Sequence, residues 1–168
     1  MDLLKRNTPN LTVITGVRGA GKTTTCAALV QSSQASGLRA AGILQPGRFN
    51  AAGEKIGFDL VDLATDTRRT AGNCAALPNL GTTLGKWTID PDVFAWADGV
   101  LAHLAAETAK MDLLIIDELG PLEFDRNQGL IHAFDLLRAN LANRAIVVIR
   151  PEKVGAFRAL GFDFNLET

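Results

Sequence analysis

The sequence predicts an α/β domain of three layers, in which a mainly parallel sheet lies between two layers of helices. Two observations indicate this fold class. A short apolar run ends at a glycine-rich segment followed by a helical pattern, and a second apolar run, residues 113–116, ends at two carboxylates. A uniformly apolar run suits a strand of a parallel sheet that is covered on both faces. The 168 residues, 47% of them hydrophobic, suit a single domain over residues 1–168.

The first strand and the first helix flank a phosphate-binding segment. Residues 16–23, GVRGAGKT, match the pattern G-x-x-x-x-G-K-[ST] of the P-loop, or Walker A motif. Its glycines let backbone N–H groups approach phosphate oxygens, where a Cβ would clash. We expect Lys22 to reach the β- and γ-phosphates and Thr23 to ligate Mg²⁺. The predicted phosphate-binding residues are Gly16, Val17, Arg18, Gly19, Ala20, Gly21, Lys22, Thr23 and Thr24.

The next elements lead away from this loop. We expect the first helix over residues 23–36, ended by Gly37, and a second strand over residues 39–44. A turn signal at residues 50–53 precedes an alternation of apolar residues over 56–60, which is typical of a half-buried strand. These patterns predict a β-hairpin inserted between the second strand and the next helix.

A long loop and a second helix follow. Residues 65–87 are rich in Gly, Thr, Asn and Pro and lack clear periodicity, which predicts a functional or mobile loop. Asp90 suits an N-cap and Pro91 a first helical position, so a helix is expected to begin here. The residues expected to form its buried face are Val93, Ala97, Val100, Leu101, Leu104 and Thr108.

The second chemical landmark is the apolar run that ends at Asp117 and Glu118. Such a strand resembles the Walker B strand of P-loop proteins, and open α/β sheets bind ligands at the carboxyl ends of their strands. We expect Asp117 to hold Mg²⁺ and Glu118 to orient and polarise the attacking water as a catalytic residue together with Lys22.

The remaining elements are a third helix, a strand and a short closing segment. Asp125 and Gln128 are spaced like a capping box for the third helix, whose pattern leaves His132 facing solvent. An apolar strand over residues 145–149 ends at Arg150. This arginine is either a charge stabiliser near the γ-phosphate or an ordinary surface residue.

A short helix around residues 153–160 and a strand over residues 162–166 are expected to close the domain.

Composition narrows the possible partners and compartments. The 17 basic and 18 acidic residues give a net charge of −1 without a basic stripe, which argues against nucleic acid as the main partner. No apolar run approaches the ~20 residues that span a bilayer, so no membrane partner is expected. Cys26 and Cys74 lack metal-ligand spacing, and no signal peptide is visible. Together these features favour reduced thiols in a cytoplasmic protein.

Four segments resemble the nucleoside-triphosphatase family typified by thermophilic members and by a human cancer-related relative. They are GVRGAGKTT at 16–24, GEKIGFDLVDL at 53–63, GKWTID at 85–90 and LLIIDELGPLEF at 113–124. The resemblance implies a P-loop fold with an additional strand between the P-loop strand and the Walker B strand. It also implies slow hydrolysis of ATP and GTP with little base selectivity.

The resemblance assigns phosphate and metal roles to Lys22 and Thr23, the metal to Asp117 and the water to Glu118. Three places depart from the family pattern, and one of them is the segment 65–84, which matches poorly. Residues 45–50 read QPGRFN where relatives carry an acidic and arginine-containing stretch, and Arg150 stands where they usually carry Thr or Ser.

The function expected from these features is Mg²⁺-dependent hydrolysis of ATP- or GTP-type nucleotides to the diphosphate and phosphate. One alternative is a small-molecule or nucleotide kinase, whose acceptor would be held by residues 65–87 near Arg68 and Arg69. Another is a nucleotide-dependent switch or assembly factor for cofactor biosynthesis, whose turnover waits for a protein partner.

Overall fold

A computed structural model describes residues 11–74 and 82–168. The strands are β1 Leu11–Ile14, β2 Ala40–Leu44, β3 Gly47–Phe49, β4 Lys55–Asp62, β5 Thr67–Asn73, β6 Thr82–Leu84, β7 Trp87–Ile89, β8 Met111–Leu119, β9 Ala142–Ile149 and β10 Asn165–Glu167. The helices are α1 Lys22–Ala35, α2 Pro91–Ala106, α3 Pro121–Arg126, α4 His132–Ala139 and α5 Val154–Ala159.

One sheet joins all the described strands in the order β10-β1-β9-β8-β2-β4-β5-β7-β6, with β3 paired to β4. The half from β10 to β2 is parallel, and the half from β4 to β6 is antiparallel. Strand β9 lies between β1 and β8, which confirms the additional strand between the P-loop strand and the Walker B strand. The predicted mainly parallel α/β fold is also confirmed.

The alternation of side chains along β8 divides the core between the two faces of the sheet. Leu113 and Ile115 pack with Cys26 of α1 in one cluster, whereas Leu114 and Ile116 belong to the larger cluster on the opposite face. The larger cluster contains the buried hydrophobic residues of α2, α3, α4 and α5. Helices therefore cover both faces, as the continuous apolar runs predict.

The inserted hairpin is confirmed, but it is part of a larger antiparallel insertion. Strands β3 and β4 pair antiparallel, and β4 continues into pairing with β5. The prediction of a half-buried strand is wrong, because Gly57 and Asp59 are buried together with Phe58 and Leu60. Helix α2 packs on β4, and the guanidinium groups of Arg48 and Arg68 lie at Asp59, so side chains that point to either face of residues 57–62 are buried.

The prediction of a loop over residues 65–87 is also wrong for the part that the structure describes. Strands β5, β6 and β7 lie there, and residues 75–81 of the same segment lie outside the described residues. Strand β5, TRRTAGN, exposes its first four residues, so it carries no apolar alternation. Its backbone hydrogen bonds to β4 and β7 define it instead.

Helix α2 begins as predicted. Asp90 accepts a hydrogen bond from the backbone N–H of Asp92, and Pro91 is the first helical residue. Of the predicted face, Val100 is half-buried, and Thr108 is exposed because the helix ends at Ala106. The four other predicted residues, together with Phe94, are buried.

The predicted third helix is divided into α3 and α4. The carboxylate of Glu123 accepts from the backbone N–H of Gly120 at the start of α3, so the capping box predicted at Asp125 and Gln128 is wrong. The side chain of His132 is 43% exposed, as predicted, but its Nδ1 also lies 2.7 Å from Oδ2 of Asp98 on α2.

At the end of the chain, β10 is shorter than predicted and pairs parallel with β1. Phe162 precedes it and is buried, with its ring stacked 4.6 Å from that of Phe157. Among residues 11–74 and 82–168, no helix is both long and apolar enough to cross a bilayer.

Candidate active site

The two sequence motifs meet at the carboxyl edge of the parallel strands. The P-loop follows β1 and leads into α1, while Asp117 and Glu118 lie at the end of β8. Only β9 separates β1 from β8 in the sheet. This edge is where open α/β sheets bind ligands.

The P-loop backbone depends on its glycines. Gly16, Gly19 and Gly21 have φ angles of 143°, 79° and 83°, which L side chains rarely adopt. No atom lies within 4 Å of a Cβ built on Gly19 or Gly21, so these two glycines are required by conformation rather than by space. The ammonium group of Lys22 donates to the carbonyls of Gly16 at 2.7 Å and Val17 at 2.9 Å.

Asp117 is the buried carboxylate of the site, with only 1% of its surface exposed. It accepts from the backbone N–H of Gln45 at 3.1 Å. Burial raises the pKa of Asp117 to about 6, although the hydrogen bond from Gln45 and the nearby hydroxyl of Thr23 oppose the rise. A carboxylate and a hydroxyl oxygen close together form a hard-oxygen donor pair, which fits Mg²⁺.

Glu118 has different surroundings from its neighbour. Its Oε1 accepts from Nε of Arg150 at 2.7 Å, and about a quarter of each side chain is exposed. Arg150 follows β9 and lies against Gly120, where an added Cβ would stand 3.2 Å from Nε. Of the two interpretations of Arg150 from sequence, the arrangement therefore favours a residue of the site.

Lys55 of β4, which no sequence pattern singled out, approaches the site from the inserted strands. Its Nζ lies 5.6 Å from the ring centroid of Trp87. Burial lowers the pKa of Lys55, while the charges of Glu118 and Asp117 raise it and that of Arg18 lowers it further. These charges place Lys55 within electrostatic reach of both motifs. The one feature of the sequence that could have pointed to Lys55 is its place in residues 53–63, a segment that resembles the family.

Three other arginines have partners on the inserted strands or on helix α2. Arg48 and Arg68 both form ion pairs with the buried carboxylate of Asp59. The guanidinium of Arg69 lies 4.5 Å from the ring centroid of Trp96. These contacts give all three arginines structural roles in the antiparallel half.

A cavity of about 440 Å³ lies away from the P-loop. Its lining includes Arg39, Asp62, Trp96, His103 and Glu107. Arg39 precedes β2, so the cavity is at the amino end of that strand, whereas the P-loop and the Asp117–Glu118 pair are at the carboxyl edge. The cavity is therefore separate from the candidate active site.

Comparisons with known proteins all indicate similarity to nucleoside-triphosphatases. A family model described as NTPase matches residues 11–154. The nucleoside-triphosphatase THEP1 of Methanopyrus kandleri is 30% identical over 119 residues, which cover 71% of this chain and 62% of that protein. The THEP1 of Thermococcus kodakarensis is 24% identical over 149 residues, covering 88% and 80%. The match thus spans less than two thirds of the Methanopyrus protein.

Two solved structures share the fold. The solution structure of a human cancer-related nucleoside triphosphatase superposes with a TM-score of 0.69 at 22% identity, covering 94% of this chain and 87% of that chain. The crystal structure of THEP1 from Aquifex aeolicus gives a TM-score of 0.62 at 21% identity, covering 94% and 88%. With a family model matched over most of its length, the chain belongs to this NTPase family of P-loop proteins.

Proposed function

We propose that this protein is a Mg²⁺-dependent nucleoside-triphosphatase that hydrolyses ATP, GTP or related nucleotides to the diphosphate and phosphate. The observation that carries the proposal is the meeting of Lys22 and Thr23 with Asp117 and Glu118 at one edge of the sheet. Membership of the NTPase family supports the same class of reaction.

The P-loop would bind the phosphates through its backbone N–H groups and the amino end of α1. Lys22 would exchange its carbonyl acceptors on Gly16 and Val17 for β- and γ-phosphate oxygens. Thr23 and Asp117 would hold Mg²⁺, which supplies positive charge to the phosphate oxygens when bound.

Glu118 would orient the attacking water and accept its proton. The water oxygen bonds to the γ-phosphorus while the bond from that phosphorus to the β–γ bridging oxygen breaks. The diphosphate leaves with the bridging oxygen and its electron pair, and the other product is inorganic phosphate. Positioning and charge neutralisation carry most of the catalysis in such reactions.

The test compares Glu118→Gln with Lys22→Ala. Glu118→Gln removes the proton acceptor but keeps the shape of the side chain, so we expect phosphate release to fall about 100-fold or more. Binding of a fluorescent ATP analogue should change by less than about threefold, because the P-loop is intact. Lys22→Ala should weaken both binding and hydrolysis, because Lys22 contacts the phosphates in both states.

Glu107→Gln provides the matched control, since Glu107 pairs with Arg39 at the edge opposite the P-loop. It should keep the rate of the unmodified protein. ADP and phosphate should be formed in equal amounts. ADP in excess of phosphate would overturn hydrolysis in favour of transfer to an acceptor, and unchanged phosphate release by Glu118→Gln would overturn the role of Glu118.

A further inference from the structure

Arg150 has more hydrogen-bond donors than its surroundings use. A guanidinium carries five N–H donors and is charged at every accessible pH. Its Nε donates to Glu118 at 2.7 Å, and the terminal amino groups meet no acceptor among residues 11–74 and 82–168. About a quarter of the side chain is exposed. Among the described residues, the buried side-chain atoms without a hydrogen-bond partner do not include these terminal nitrogens, so they are open to water and to a ligand. Such a group is suited to bind an anion.

The backbone around Arg150 fixes the place of this guanidinium. Its N–H donates to the carbonyl of Leu119 at 3.3 Å, and its carbonyl accepts from the N–H of Lys153 at 2.8 Å. The side chain then passes over Gly120, where any Cβ would crowd Nε and Cδ at 3.2 and 3.4 Å. Main-chain hydrogen bonds and side-chain contacts therefore both fix Arg150 beside the end of β8.

Four other arginines, in the P-loop and on the inserted strands, do not offer the same combination. Arg48 and Arg68 are paired with Asp59, and Arg69 lies over Trp96. Arg18 is in the P-loop but its side chain is exposed. Arg150 combines contact with the proposed water-orienting carboxylate, partial burial and terminal N–H donors that lack acceptors in the described chain.

We propose that Arg150 acts in cis on the γ-phosphoryl group of the bound nucleotide. Its Nε holds Glu118 in position, and its terminal N–H groups bind γ-phosphate oxygens. This inference rests on the proposed function and assigns the arginine that completes the site. A guanidinium fork matches the geometry of phosphate oxygens and stabilises the charge spread over them in the transition state. Hydrolysis then needs no arginine from a partner protein.

The experiment compares Arg150→Ala and Arg150→Lys with Arg144→Ala. Arg144 is an exposed residue near the amino end of β9, the strand that Arg150 follows, so its variant loses one positive charge without touching the site. For each protein, the measurements are kcat and KM for ATP, the affinities for ADP and for a non-hydrolysable ATP analogue, and the melting temperature. All are made with Mg²⁺ present.

For Arg150→Ala we expect kcat to fall about 100-fold or more, as for other groups that stabilise transition-state charge. The ADP affinity should change by less than about threefold, while the preference for the ATP analogue over ADP disappears. Added guanidinium ion at millimolar concentration should restore part of kcat in Arg150→Ala and none in Glu118→Gln. Arg144→Ala should match the unmodified protein in every measurement.

A second readout uses aluminium fluoride, which with ADP mimics the transferred phosphoryl group. The unmodified protein should trap ADP with aluminium fluoride without any partner, and Arg150→Ala should not. Arg150→Lys keeps the charge but loses the fork, so it should remain folded with kcat at least about tenfold reduced. This variant keeps the inference testable if Arg150→Ala fails to fold.

A fall in kcat of less than threefold for Arg150→Ala, or full activity for Arg150→Lys, would overturn the inference. Equal loss of ADP and ATP-analogue affinity would also overturn it, because that pattern indicates a structural role. If the unmodified protein hydrolyses no triphosphate, the proposed function fails. The preference for the ATP analogue over ADP then tests the role of Arg150 separately.

Discussion

The two thiols of the chain differ in burial, and this difference sets their reactivity. Cys26 of α1 is fully buried, whereas Cys74 is exposed. Burial raises the pKa of the Cys26 thiol to about 12, with a smaller contribution from the negative charge of Asp117. The reactive species of a cysteine is the thiolate. Cys26 is therefore protected by its pKa as well as by its lack of exposure.

We expect iodoacetamide at pH 8 to alkylate Cys74 rapidly in the native protein and to leave Cys26 unmodified. Mass spectrometry of peptides from the labelled protein measures both sites. In denaturant both thiols should react, and native Cys74→Ser should show almost no labelling. Native labelling of Cys26 at the rate of Cys74 would show that α1 does not pack against the sheet as described.

At the same scale, the sequence predicted the residues that lie within one motif. Gly16, Lys22 and Thr23 are neighbours in the chain, and their spacing alone indicates a common ligand. Lys55 and Arg150 come close to Glu118 only through strand pairing and the packing of the insertion. No local sequence pattern encodes such tertiary contacts. The sequence therefore left two interpretations of Arg150 open and did not indicate Lys55.

At the scale of elements, Glu123 joins the start of α3 to the segment before α4. Its buried carboxylate accepts from the N–H of Gly120 and from the N–H of Leu130, both at 2.9 Å. Burial raises the pKa of Glu123 from an ordinary 4.5 to about 7, although both hydrogen bonds oppose the rise. Between these two pH values, the folded chain holds a proton here that the unfolded chain has lost.

The stabilisation linked to this proton is therefore complete below about pH 4.5 and is lost as the pH rises through about 7. Its size is on the order of 3–4 kcal/mol, from a rise of about 2.5 pKa units at about 1.4 kcal/mol per unit. Glu123→Gln has no proton to lose, so its free energy of unfolding should decline less between pH 4.5 and 7. Urea unfolding at several pH values measures the difference. Parallel curves for the two proteins would contradict this origin of the pH dependence.

The same region shows why some element boundaries could not be predicted. Asp125 and Gln128 have the spacing of a capping box, but Glu123 with Gly120 occupies that role. In each pair the second residue stands three positions after the first, so spacing alone does not distinguish them. The turn after β8 determines where α3 begins and therefore which pair caps it. Strand β5 was missed for a different reason, because its exposed first half carries no apolar alternation, although it pairs with the preceding strand β4.

At the scale of the whole molecule, the sheet connects the nucleotide half to the inserted half. The pairing of β2 with β4 joins the parallel strands to the antiparallel ones, and the larger core cluster includes residues from both. Apolar runs and turn signals were sufficient to predict the parallel half. The extent of the insertion depends on which strands pair with one another, such as β2 with β4 and β5 with β7. The periodicity of apolar residues in a single sequence does not indicate these pairings. This continuity implies that the domain unfolds as one unit.

A bound nucleotide should therefore stabilise both halves together. Mg²⁺ and ADP at about 100 times Kd add about 2.7 kcal/mol to the free energy of unfolding. For a domain of this size we expect a rise in melting temperature of about 5–10 °C. Lys22→Ala should show a smaller rise at the same concentrations, because its affinity is reduced.

Two probes separate the halves in this experiment. The two tryptophans, Trp87 of β7 and Trp96 of α2, lie in or beside the inserted strands, so their fluorescence reports on that half. Far-UV circular dichroism reports on the whole domain. We expect both transitions to coincide and to shift equally with nucleotide, because breaking β2 from β4 would expose the shared core. A fluorescence transition that came first and did not move with nucleotide would show that the insertion unfolds independently of the P-loop half.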